Sequence, residues 1–259
     1  MILQVDGISH SYGGLQAIKG VSLEVQRGTF CGLIGPNGAG KSTLLDCISG
    51  RIKAQKGRVI FEGVDISGWP LHRTARAGMV RTFQVSRTFQ RLSVISDVMV
   101  GVPNQIGERV VPALLGTWRE DQRRHLDGAV RMLHRFHIAE VAENLGSALS
   151  GGQQRLVELS RTMMTHPAML LLDEPFAGVS PVARRELVAH LRSLCQDDGV
   201  TILMIEHRLD LIEELCNPIH AMADGEVVAS GSMSELRQND RLISAYLGHV
   251  DDRSRKSQP

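Results

Sequence analysis

The opening third of the chain alternates short apolar and polar runs broken by glycine: Ile2 to Tyr12 (ILQVDGISHSY), Val21 to Gly35 (VSLEVQRGTFCGLIG) and Arg58 to Gly68 (RVIFEGVDISG). Such runs, rich in β-branched residues and ended by turn formers, predict strands. From about residue 103 the pattern changes. The stretch Thr117 to Gly146 places Leu126, Val130, Leu133 and Phe136 at helical spacing, which predicts an amphipathic helix within a helical segment. Beyond Gly152 the elements alternate: helix GQQRLVELSRTMMTH, apolar strand AMLLLDE, helix PVARRELVAHLRSLCQDDG, apolar strand VTILMIEH. Helix and strand in alternation, with strands apolar throughout, predict a parallel sheet covered on both faces.

Composition narrows the class. Of 259 residues, 29 are Lys or Arg and 28 Asp or Glu, so no net field draws the chain to nucleic acid or an anionic surface. Cys31, Cys47, Cys195 and Cys216 are widely spaced with no CxxC, which fits reduced, mostly buried thiols of a cytosolic protein. The first residues lack a signal-peptide pattern, and no apolar run reaches the ~18 to 20 residues of a membrane span. The last residues, VDDRSRKSQP, are polar and are expected to fray.

One stretch carries specific chemistry. Gly35 to Thr43 reads GPNGAGKST, a match to G-x-x-x-x-G-K-[ST] lying after an apolar run and before a helix. Gly35, Gly38 and Gly40, with Pro36, Asn37 and Ala39 between them, let the backbone N–H groups turn inward around phosphates, at the head of a helix that opens with Thr43 close behind. Lys41 would neutralise the terminal phosphates, and the Ser42 hydroxyl would ligate Mg²⁺. Two apolar strands end in titratable residues. Met169 to Glu174 delivers Asp173 for the metal and Glu174 as general base; Thr201 to His207 delivers Glu206 and then His207, a γ-phosphate sensor.

Leu149 to Arg155 reads LSGGQQR. Together with the loop and strands above, this resembles the signature of ABC-transporter nucleotide-binding domains, and the motifs follow that family's order to about residue 248. The resemblance implies an α/β fold: a P-loop NTPase cassette with a RecA-like, mainly parallel sheet core, an antiparallel β subdomain and a helical signature subdomain at about 95–165. Residues 1–248 would form the ATP-binding domain and 249–259 a tail. Ser150, Gly151, Gly152 and Gln153 would meet ATP held by a second ATP-binding subunit, and Tyr12 would stack on adenine. Permease subunits in the membrane, and indirectly an extracytoplasmic solute-binding protein, are implied partners; the chain would lie at the cytoplasmic face of the membrane.

The family also uses a glutamine at the metal and attacking water. RTFQVSRTFQ, residues 81 to 90, offers Gln84 and Gln90. Spacing to the next aromatic and Leu-Ser-Val fits Gln84 (Phe89, Leu92, Ser93, Val94), leaving Arg87, Phe89 and Gln90 for a permease contact. One departure is Ser180, where many members carry aspartate. RTFQ, the insert at 103–128, ENLGSALSGGQQR, IEHRLDLI and ISAYLG resemble ATPases of branched-chain amino-acid importers. A urea or small-solute importer, a lipopolysaccharide or lipid exporter and a non-transport ABC ATPase are the alternatives.

Overall fold

The computed structural model describes residues 1–82, 88–103, 105 and 118–239, and these divide into two compact units. The first comprises residues 1–81, 168–174 and those from 192 onward; the second comprises 82–167 and 175–191. No helix among the described residues is long and apolar enough to cross a membrane.

The first unit holds two sheets. In the smaller, Leu3–Tyr12 (β1) pairs antiparallel with Leu15–Val25 (β2) and with Lys56–Phe61 (β4), and Val64–Asp65 (β5) adds an edge. Its inward face shows how a pattern can be re-phased. Leu3 and Val5 point into the core on odd positions, yet buried Ile8 is even. A register shift between Val5 and Ile8, with Gly7 at φ 59°, inserts the extra residue that returns Ile8 to the core face.

The larger sheet has six strands. With Phe30–Ile34 (β3), Met79–Arg81 (β6), Met169–Asp173 (β7), Thr201–Ile205 (β8), Ile219–Ala223 (β9) and Glu226–Gly231 (β10), the order is β10-β9-β3-β8-β7-β6. All neighbours are parallel except the β9–β10 pair. Every residue of β3, β7, β8 and β9 is buried, which explains why these strands read as unbroken apolar runs. The helix Lys41–Ser49 (α1) follows β3 and packs Leu44, Leu45 and Ile48 into the core shared with β1 and β2. The short helix Leu71–Arg76 (α2) precedes β6, while Leu209–Leu215 (α7) and Met233–Leu236 (α8) complete the unit after the helices of the second. All four cysteines are buried and free.

The second unit is helical: Val94–Met99 (α3), Trp118–Arg135 (α4), Gly151–Met163 (α5) and Pro181–Gln196 (α6), the last cut by the division after Leu191. Two close approaches organise it. A Cβ on Gly101 would stand 2.1 Å from the Arg161 carbonyl oxygen, so the chain leaving α3 can meet α5 only through glycine. Buried Asp97 accepts the Phe89 N–H at 2.8 Å and an Arg161 Nη1–H at 2.5 Å, fixing the segment before α3 to the same helix.

The amphipathic face expected for α4 needs correction. Leu133 and Phe136 are buried as expected, but Leu126 and Val130 are 41% and 40% exposed, and Ala129 lines the core instead. Phe136 lies past the helix end at Arg135, so the four apolar residues do not share one buried stripe.

Candidate nucleotide site

The carboxyl ends of three neighbouring parallel strands build the site in the first unit. β3 leads into Gly35–Gly40, β8 into Glu206 and His207, and β7 ends on Asp173; β8 lies between the other two. Open α/β sheets bind ligands at this edge because the loops there converge.

The loop conformation depends on its glycines. Gly35, at φ 151°, passes so close to the next strand that a Cβ would lie 2.2 Å from the Met222 carbonyl oxygen. Gly40, at φ 96°, stands at the head of α1, and its Cβ would lie 2.5 Å from the Ala17 oxygen. No side chain caps α1, which leaves its first N–H groups turned to the cavity in front of them. Lys41 is buried and folds back over the loop, donating to the Gly35 oxygen at 2.7 Å and the Pro36 oxygen at 2.9 Å. Burial lowers its ammonium pKa from the ordinary value, while Glu174 and Asp173 pull it back up.

A cavity of about 360 Å³ opens at this point. It is lined by Tyr12, Leu15, Ala17, Asn37, Gly38, Gly40, Lys41, Ser42, Thr43, Glu174 and His207, so residues from four stretches of sequence meet at one surface. Tyr12 is half-exposed and its ring meets His10 edge-on at 4.8 Å. Pro36 and Ala39 shape the loop from behind, Ala39 being buried.

Glu174 stands just past β7 with a left-handed backbone, φ 50°, and its N–H donates to the Ile205 carbonyl at 3.0 Å. A non-glycine residue in that region stores roughly 1–3 kcal/mol of strain, a pattern concentrated at functional positions. The turn aims its side chain across to His207, whose Nε2 lies 2.8 Å from Glu174 Oε1. Buried Glu206 braces the same turn by accepting the His207 N–H at 2.9 Å. Asp173 is also buried. Its Oδ2 accepts from Arg81 Nη2 at 2.9 Å, whereas Oδ1 has no hydrogen-bond partner among the described residues.

That unpartnered oxygen bears on the metal. No cluster of three or more His, Cys, Asp or Glu able to hold a metal occurs among the described residues. Magnesium does not need one, since it takes one or two protein oxygens and completes its shell with phosphate and water. One carboxylate oxygen on Asp173 and one hydroxyl on Ser42 therefore fit the group.

The signature residues lie in the second unit. Ser150 caps α5 in a reciprocal box: its Oγ accepts the Gln153 N–H at 3.3 Å, and Gln153 Oε1 accepts the Ser150 N–H at 3.0 Å. Gly151, which is exposed, and Gly152, which is partly buried, open the first turn. A Cβ on Gly152 would stand 2.5 Å from Ala183 Cβ, so this glycine also lets α5 pack against α6. Ser180 occupies the corresponding capping place before α6, accepting the Ala183 N–H at 3.4 Å, with Pro181 as the first helical residue. Phe89 and Gln90 are exposed; Gln84 lies outside the described residues. Sequence reasoning missed Arg81 altogether, because a buried arginine leaves no mark in a hydropathy pattern.

A glycine-rich loop at a helix head, set beside a buried aspartate and a Glu–His pair at the edge of a parallel sheet, defines an α/β cassette for a nucleoside triphosphate. Residues 18–177 match the model of the ABC transporter family. The chain belongs to that family and is an ATPase of its ATP-binding cassette class. It is 35% identical over 250 residues, 96% of each chain, to a probable branched-chain amino acid transport ATP-binding protein LivG of Archaeoglobus fulgidus. It is 36% identical over 251 residues, 96% of this chain and 98% of the relative, to the high-affinity branched-chain amino acid transport ATP-binding protein LivG of Escherichia coli K12. Among solved structures, the ADP conformation of an ATP-binding cassette of an ABC transporter superimposes with a TM-score of 0.82 at 33% identity, covering 95% of this chain and 98% of the other.

Proposed function

We propose that this chain is the ATP-hydrolysing subunit of an importer for branched-chain amino acids. The observation that carries the catalytic part is the convergence of Lys41, Glu174 and His207 on one cavity at the head of α1. The substrate class rests on the names of the relatives, which are similar over almost the whole chain.

In this reading the backbone N–H groups of Gly38 to Thr43 bind the β- and γ-phosphates, and Lys41 exchanges its two loop carbonyls for phosphate oxygens. Tyr12, exposed at the cavity rim, stacks on the adenine. Ser42 and Asp173 Oδ1 would hold Mg²⁺, which when bound offsets charge on the phosphates. Glu174 takes the proton from the attacking water, and His207 orients Glu174 and contacts the γ-phosphate. Gln84, as the resemblance implies, would add a contact to metal and water and link the site to the permease.

Ser150, Gly151, Gly152 and Gln153 serve a second ATP-binding subunit. The head of α5, exposed at Ser150 and Gly151, offers its N–H groups to ATP held by that partner, so two such subunits enclose two nucleotides. Phe89 and Gln90, both exposed, belong to the surface that meets a transmembrane permease at the cytoplasmic face. An extracytoplasmic solute-binding protein delivers the amino acid to that permease.

Reconstitution with the permeases encoded beside it tests the proposal. ATP turnover should rise when binding protein loaded with leucine, isoleucine or valine is added. Stimulation by urea-loaded protein alone would replace the substrate class, and stimulation by lipid without any binding protein would overturn import.

A further inference from the structure

Arg81 ends β6 and opens the first copy of the doubled RTFQ. Its side chain is only 5% exposed, and its guanidinium spans two carboxylates. Nη2 donates to Asp173 Oδ2 at 2.9 Å, and Nη1 donates to Asp46 Oδ1. Asp46 has a second cation in Arg51, but at 3.4 Å and from a side chain 56% exposed, a much weaker hold.

The positions of the two carboxylates give this bridge its meaning. Asp46 lies four residues after Ser42 on α1, so the two share one face of the helix, a turn apart. Asp173 ends β7, whose Leu171 is level with Arg81 in the parallel register. One end of the guanidinium therefore grips the turn beneath Ser42, and the other grips Asp173 Oδ2. A guanidinium is planar with donors in a fixed fork, so it sets a distance as well as a charge balance. By occupying Oδ2 it leaves Oδ1 as the oxygen without a partner among the described residues.

We propose that Arg81 is a positioning residue that sets the separation between the Ser42 hydroxyl and Asp173 Oδ1, and so the fit of the divalent cation that accompanies the nucleotide. The inference rests on Ser42 and Asp173 being the protein's magnesium donors. Magnesium demands near-octahedral geometry at about 2.0–2.1 Å, so small errors in donor spacing weaken it. Without the bridge, buried Asp173 and partly buried Asp46 would lose the cation they share, and both side chains would be free to shift.

The test compares ADP affinity in Mg²⁺ with that in EDTA, measured by calorimetry on the full chain without reference to turnover. Arg81→Met is expected to lower the ratio of the two affinities by about tenfold, as loss of a group orienting a metal ligand does. Affinity in EDTA should stay close to wild type, because the phosphate loop is untouched. Asp46→Asn keeps the Arg81–Asp173 pair and should lower the ratio less. Arg81→Lys supplies one point charge that cannot span both carboxylates, and should restore it only in part. Should Arg81→Met fail to fold, Asp46→Asn alone decides. A wild-type ratio in folded Arg81→Met, or in Asp46→Asn when the former does not fold, overturns the inference. A wild-type protein whose ADP affinity ignores Mg²⁺ would instead overturn Ser42 and Asp173 as donors.

Discussion

Glu174 Oε1 and His207 Nε2 stand 2.8 Å apart although 33 residues separate them in sequence. The pair forms because β7 and β8 are parallel neighbours with Asp173 level with Ile205, so the residues that follow each strand emerge side by side. Removing the imidazole takes away one partner that orients Glu174. His207→Ala is expected to lower kcat by about 10²-fold, a usual scale for a group that assists proton transfer, while ATP affinity changes little. Stopped turnover with a large loss of affinity would instead make His207 mainly a binding residue.

Two glycines of the phosphate loop should respond differently to alanine. At Gly35 the new Cβ meets the Met222 carbonyl oxygen at 2.2 Å, a backbone atom that cannot swing aside. At Gly38 it meets nothing within 4 Å, and only the φ of 84° opposes it. Gly38→Ala should cost about 1 kcal/mol of stability, and Gly35→Ala clearly more. Denaturant melts of the two variants, compared by their midpoints, check the order.

Ser180 caps α6 by accepting the Ala183 N–H, so substitutions there can be read as changes to the cap. Ser180→Ala should cost about 1 kcal/mol through loss of the cap. Ser180→Asp keeps the acceptor and adds a charge at the positive end of the helix, so its melting temperature should equal or exceed that of the wild type. A drop for Ser180→Asp as large as for Ser180→Ala would show that the hydroxyl, and not the capping acceptor, is required.

His220, buried on β9, takes a hydrogen bond between Nδ1 and Ser230 Oγ at 2.7 Å and donates Nε2–H to the Glu24 carbonyl at 3.2 Å. Burial lowers its pKa below the ordinary 6.5, opposed in part by the Glu24 carbonyl. Between the lowered folded value and 6.5 the unfolded chain binds the proton and the folded chain does not. His220 therefore costs no stability above pH 6.5, and stability falls as pH drops below it toward the folded value. His220→Gln should flatten the slope of stability against pH below 6.5 relative to wild type. An unchanged slope would place the acid sensitivity elsewhere.

The parts of the site legible in the sequence were those whose spacing is itself the chemistry. Gly35 to Thr43 could be read because a loop that turns N–H groups toward phosphates needs small residues at fixed intervals, and the apolar runs before Asp173 and His207 because strands buried on both faces have no polar positions. The expected mainly parallel core, antiparallel sheet and helical segment are all present. The α4 face was misread for the opposite reason. Leu126 and Val130 fit helical spacing as well as Leu133 does, and only packing reveals that small Ala129 faces the core while they face outward. Arg81 was invisible because its burial depends on Asp46 and Asp173, 35 residues before and 92 residues after it.

ATP turnover by Glu174→Gln tests the catalytic reading most directly. The amide keeps the shape of the side chain and cannot accept a proton from water, so turnover should fall by about 10²-fold or more with ATP still bound. Because the nucleotide is then held unhydrolysed, light scattering should report a dimer that persists in ATP and not in ADP. Wild-type turnover in this variant would contradict Glu174 as the base.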